Sequence, residues 1–248
     1  MFPRLFFVSL YPEMVMSTGV DGCRIGWFCV SRDREHSLVF SVVPSLEGLL
    51  AMDVGQTIAI DIPIGLPTAG DRDVDQAARR MVGPRRSSVF PVPIRQTLGA
   101  GNREEASAIG RQVDGRGVGV QSWAIVPKIV ELDEILQSNR NLITSVHECH
   151  PEVCWTAMND GEPMQYGKKF LAGRLERLAS LQERFGEEGV TVFEAAKQRF
   201  RRYEVALDDI LDAFACLWTA ERVESGRAVG LLANPPIDSV GIPMQMVF

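Results

Sequence analysis

Acidic residues interrupt or open several runs that are otherwise apolar: Asp21 in "TGVDGCRIGW", Asp61 in "TIAIDIPIGLP", Glu148 in "SVHECHP", and Asp208, Asp209 and Asp212 in "DDILDAFACLWTA". A carboxylate withdrawn from water without a partner costs on the order of several kcal/mol or is driven to protonate. Each of these positions therefore calls for a cation, hydrogen-bond donors or a strand end. Mg2+ or Mn2+ would supply that compensation, and two such ions roughly 3.5–4 Å apart clamp the attacking and leaving oxygens in phosphodiester hydrolysis. Asp209 and Asp212 are three apart and share one helical face. The candidate metal ligands are thus Asp21, Asp61, Asp209 and Asp212, with Glu148 as a further candidate catalytic group. Singly, each has a plainer role: Asp21 before Gly22 and Asp61 before Ile62 suit turns, and Asp208 and Asp209 suit a helix N-terminus.

Two local basic clusters could hold phosphates. "GPRRSSVFPVPIR" offers Arg85, Arg86, Ser87, Ser88 and Arg95, and "YGKKF" offers Lys168 and Lys169. Phe90 and Trp123 could stack on bases, although core packing and solvated charge are the commoner fates of such residues. "HECHPEVC" brings His147, Cys149, His150 and Cys154 into one short stretch, but strand alternation separates them between two faces, which disfavours zinc. His150 could move a proton beside Glu148.

The elements that must position these groups follow from periodicity. Val20 ends a first strand with Asp21 at its tip, Trp27 to Val30 form a second, "SLVFSVVPSL" a third, and "SLEGLLAMDVG" a helix stopping at Gly55. "QTIAIDIPIGLP" reads as a central parallel strand buried on both faces. "DVDQAARRMVG" and "PKIVELDEILQ" read as helices, "NLITSVHECHPEVC" returns to strand chemistry, and three helical stretches follow: "KKFLAGRLERLASLQERFG", "VTVFEAAKQRF" and "ALDDILDAFACLWTAERVESG". The tail "ANPPIDSVGIPMQMVF" suits an edge strand or a partner contact, and a homodimer is compatible with it. The expectation is an α/β protein: a mixed five-stranded sheet flanked by helices, with an insertion over about residues 68–140 after the fourth strand.

Composition narrows the classes. The 248 residues suit one domain with an insertion, here residues 17–248 behind an extension of residues 1–16. A net charge of −6 gives no general basic footprint, so nucleic acid would have to be met by the local clusters. Five cysteines, an odd number in a chain too large to need staples, fit a reducing cytoplasm. The apolar start is broken by Pro12 and Glu13 too early for a leader or a membrane span.

Taken together, "GVDGCRIGW", "AIDIPIGLP", "RRMVGPRRSSVFPVPIR", "QSWAIVPKIVELDE", "ECHPEVCW", "KKFLAGRLERLASL" and "DDILDAFACLWTAER" resemble the domain-of-unknown-function 429 family, described as predicted nucleases of ribonuclease H-like fold, over about residues 18–222. The resemblance implies an Asp on the first strand at Asp21, an acid at the end of the fourth at Asp61, and Asp209 and Asp212 on the last helix in "DILDAFA". "ECHPE" is characteristic of this family, which adds Glu148 as a ligand or base. The long insertion departs from the element with which the superfamily usually meets nucleic acid. The implied activity is metal-dependent nuclease action. Two alternatives keep the fold: a nucleotide-binding, ATPase-like protein using "GVDG" as a phosphate loop, and an inactive nucleic-acid-binding scaffold.

Overall fold

Period-two alternation in the strands divides the interior between two helical layers, and this decides which way each acid points. The computed structural model describes residues 15–33, 35–50 and 57–248. Most of the expected extension and the expected helix stop at Gly55 lie outside the described residues.

Strands β1 (Val15–Cys23), β2 (Gly26–Asp33) and β3 (Leu38–Val43) form an antiparallel meander. β4 (Thr57–Ile60) and β5 (Val146–Glu148) run parallel to β1, giving the order β3-β2-β1-β4-β5. The mixed five-stranded sheet is therefore as expected. Helices α1 (Leu46–Leu50), α2 (Asp73–Met81), α3 (Arg103–Asp114), α4 (Val120–Ala124) and α5 (Val126–Ser138) precede β5, and α6 (Pro151–Met158), α7 (Leu171–Arg199) and α8 (Leu207–Glu224) follow it.

Val20, Trp27, Cys29, Ile58 and Ile60 pack with Ile129, Leu132 and Leu136 of α5. Phe28, Val30 and Ala59, one residue out of phase, pack with Trp155 of α6 and Phe214 and Leu217 of α8. Asp21 and Asp61 continue the second phase, so both lie on the α8 side of the sheet.

Gly19 permits this arrangement. A Cβ there would lie 2.0 Å from the Leu217 nitrogen and 2.1 Å from the Ala213 oxygen, so α8 rests directly on the β1 backbone. The helix thereby brings its N-terminal acids over the ends of β1 and β4.

Several details differ from the sequence reading. β1 does not end at Val20: it continues to Cys23, pairing Asp21 with Phe28 and Gly22 with Trp27, and the chain reverses at Arg24 and Ile25. The return is possible because Gly26 has φ 137° and packs its α-carbon against the Val43 carbonyl, where a Cβ would stand at 2.1 Å. The "GVDG" stretch is accordingly strand and forms no loop. An unforeseen helix, α3, starts where the Asn102 side chain accepts from the Glu105 amide at 2.9 Å and stops at left-handed Gly115. α7 is two helices joined at Gly186 (φ 63°, ψ −160°), matching the break between the two predicted helical stretches. The tail covers the β5 edge: Met246 bridges Glu148, and the Val247 amide donates to the Glu148 carbonyl at 2.9 Å.

Candidate functional site

Asp21 sits inside β1, Asp61 one residue beyond β4, and Asp209 and Asp212 in the first two turns of α8. Packing of α8 on β1 gathers all four into one electrostatic unit. Burial, then the charges of Asp61, Asp212 and Asp209 in that order, lift the Asp21 carboxyl well above the ordinary carboxylate range. Asp61 is pushed up to about 7 by burial and then by Asp212, and Asp209 to about 6, chiefly by burial. Asp208, at the start of α8, is raised more weakly, again by burial first.

Lys168 brings a cation into this group. The Lys168 ammonium pairs with Asp212 Oδ2, and its charge opposes the rise at Asp21, Asp61 and Asp209. Lys168 is carried by a loop that is pinned on several sides. Arg85 donates to the Met164 and Gln165 carbonyls (3.1 and 2.6 Å), Glu176 accepts the Gln165 and Tyr166 amides (2.7 and 3.1 Å), and Arg177 donates to the Tyr166 carbonyl at 3.1 Å. Arg177 is itself fully buried and makes a two-bond pair with Glu152 of α6 at 2.6 and 2.8 Å. Sequence reasoning missed Arg177, although its place four residues after Gly173 and four before Leu181, on the inward stripe of α7, was the signal that could have found it. Lys128 was missed too: it lies across Trp27, 3.9 Å from the ring centroid, and its Nζ donates to the Gly26 carbonyl at 2.6 Å, within the field of Asp21 and Asp209.

The carboxylates are partly spent on local bonds. Asp21 Oδ1 accepts the Gly22 amide at 2.7 Å, and Asp209 Oδ2 accepts the Ala206 amide at 2.8 Å, closing the N-terminus of α8. Asp212 Oδ1 is buried without a hydrogen-bond partner among the described residues. As they stand, no three His, Cys, Asp or Glu side chains of the described residues form a group that could hold a metal ion. The donor chemistry, all carboxylate oxygen with one orphaned buried atom, nevertheless fits a hard divalent cation.

Glu148 is not part of this cluster. Its oxygens accept from both terminal nitrogens of Arg72 (2.6 and 2.7 Å) and from the Ile64 amide at 2.7 Å, while Arg72 also bonds Asp75 at 2.6 Å. Both residues are buried, and the network fastens β5 to α2 and to the turn after β4. Burial still lifts Glu148 to about 7 against the pull of Arg72.

His150 is held as a helix cap. Its Nδ1 accepts the Glu152 amide at 3.2 Å, which leaves Nε2 to donate to the Ser88 carbonyl at 3.3 Å. Burial lowers its pKa, consistent with a neutral ring that has no free nitrogen for proton transfer toward Glu148. Cys149 and Cys154 are buried thiols inside the α8-side core rather than partners of the two histidines.

The expected phosphate-binding residues divide. Arg85 is committed to the Lys168 loop, and Arg95 pairs with Asp133 at 2.7 Å and with Asp238, so both serve the scaffold. Arg86, Ser87 and Lys169 are exposed, as are Phe90, Tyr166 and Phe170 of the same two segments. Trp123 is partly buried.

No helix of the described residues is long and apolar enough to cross a membrane. A family model described as "Protein of unknown function (DUF429)" matches residues 19–237. No curated protein and no solved structure matches the chain.

Proposed function

Because this chain belongs to the DUF429 family and gathers four carboxylates from separate elements, we propose that it is a metal-dependent phosphodiesterase of ribonuclease H-like fold acting on nucleic acid. The observation that carries the reading is the convergence of Asp21 of β1, Asp61 just beyond β4, and Asp209 and Asp212 at the start of α8, where the charge of Asp212 adds to burial in raising the other three. Like charges so placed raise one another's pKa and are a burden on the fold unless cations are drawn in. The fold assignment is supported by the positions of these acids on the first strand, at the end of the fourth and on the last helix.

Asp21, Asp61, Asp209 and Asp212 would hold Mg2+ or Mn2+. Such ions, when bound, stabilise the charge that develops on a phosphoryl group and acidify bound water. The chain's own residues do the rest. Asp61, lifted to about 7 by burial and Asp212, would be drawn back to the charged carboxylate by a bound cation and serve as a ligand. Lys168, with a third of its side chain exposed, is the ammonium placed to meet a phosphate oxygen. Exposed Arg86 and Lys169, in the same segments as exposed Phe90, Tyr166 and Phe170, offer the basic and aromatic groups that single-stranded nucleic acid uses.

Incubation with branched DNA, RNA–DNA hybrid and single-stranded RNA in Mg2+ or Mn2+ tests the proposal. Cleavage is expected from the natural chain, with a loss of about 100-fold or more in Asp21→Asn and Asp61→Asn. A chain inert on every substrate, or variants that cleave normally, would refute it.

A further inference from the structure

A second site lies on the same face of the sheet, at the opposite end of α8. Arg184, Trp218, Glu221, Arg222 and Arg227, with Ala157 and Asp160, line a solvent-open cavity of about 260 Å³. Arg222 is about 15 Å along the helix from Asp212, at 1.5 Å per residue, so the cavity is separate from the carboxylate cluster.

The three guanidinium groups are weakly compensated. Arg184 donates to the Met158 carbonyl at 2.5 Å, Arg222 to the Arg227 carbonyl at 2.7 Å, and Arg227 to the Ser225 hydroxyl at 2.9 Å, all neutral acceptors. The carboxylate nearest Arg184 is that of exposed Glu183, 3.8 Å away. Glu221 is already taken by Arg32 at 2.5 Å, and Asp160 stands at the exposed rim. Arg222 Nε is buried with no hydrogen-bond partner among the described residues. The same guanidinium lies 4.6 Å over the Trp218 ring, which fixes its plane. Desolvation and the positive charges of Arg227 and Arg184 disfavour the Arg222 cation where it stands. A buried unpaired donor and mutually repelling arginines are the condition that an oxyanion relieves.

We propose that this cavity binds a small phosphate ester, with Arg184, Arg222 and Arg227 around the phosphate and Trp218 as its wall. The volume suits a ligand about the size of a sugar phosphate and is below the usual range for larger cofactors, roughly 300–1,000 Å³.

Calorimetric titration of the full chain with inorganic phosphate and with a sugar phosphate, in metal-free buffer, tests this. One saturable site with a dissociation constant below about 1 mM is expected, weakened at least about tenfold in Arg222→Met and Arg227→Gln and unchanged in Asp21→Asn. Arg227 is exposed, so its variant decides the matter should Arg222→Met fail to fold. Absence of saturable binding, binding that both arginine variants retain, or binding lost in Asp21→Asn overturns the proposal. So does an oligonucleotide that requires these arginines while phosphate does not bind.

Discussion

Lys168 pairs with a carboxylate that is almost fully buried, so removing it leaves Asp212 without its counter-charge. Lys168→Met is expected to cost about 1–3 kcal/mol in urea denaturation, and more at about pH 8 than at about pH 5, where neighbouring carboxyls protonate. An unchanged midpoint would show that the pair is idle. The pH dependence has a definite sign. Asp61 at about 7 and Asp209 at about 6 both bind protons more tightly folded than unfolded. The stability they confer is complete below about pH 4 and is lost as pH rises through about 7. Glu148 acts in the same sense, and the lowered pKa values of His147 and His150 act in the opposite one. A difference measurement isolates Asp61: Asp61→Asn should flatten the fall in stability between about pH 5 and pH 8 and gain about 1 kcal/mol or more at the upper end. A parallel profile would remove Asp61 from the cluster. The acids were legible in the sequence because each broke an apolar run. The partners were harder to read: Lys168 lies in a loop with no periodicity to place it, and Arg177 stands on the inward stripe of α7, but its partner Glu152 comes from another helix.

At the scale of elements, the contact between α8 and β1 sets the site. Gly19→Ala would drive a methyl into the α8 backbone, and at least about 3 kcal/mol of destabilisation is expected by thermal or urea unfolding. Retained stability would mean that the helix can lift without loss. The junction of β5 with α2 depends on Arg72 in the same way. Arg72→Met leaves Glu148 and Asp75 buried without their shared cation and should cost about 3–5 kcal/mol, while the cleavage rate per folded molecule changes little. Strands were easy to read because alternation and Asp61 before Pro63 mark them. Helix α3 was not, because its small and charged residues carry only Ala106, Ser107 and Gly110 inward, too weak a stripe to stand out. The stop of β1 was misplaced because Asp21-Gly22 has turn chemistry that the pairing with β2 overrides.

For the whole molecule, the last residues are structural. Ile242 and Met246 are buried, and Asp238 accepts amides from Leu66, Val240 and Ile242 besides its pair with Arg95. A chain truncated after residue 229 should therefore lose cooperative unfolding, as followed by circular dichroism; a sharp melt near that of the intact chain would show the tail to be an appendage. The tail also has a consequence for how copies of this chain meet. It occupies the rim of β5, while at the other rim the first amide of β3 is taken by Glu188 of α7 at 2.7 Å. Continuous ribbons built by adding sheet to sheet, the route by which exposed strands seed fibres, would need β5 on one copy and β3 on the next. With one rim capped, head-to-tail growth has no acceptor, and a crowded solution of this protein should resist fibrillar aggregation for as long as the tail stays in place.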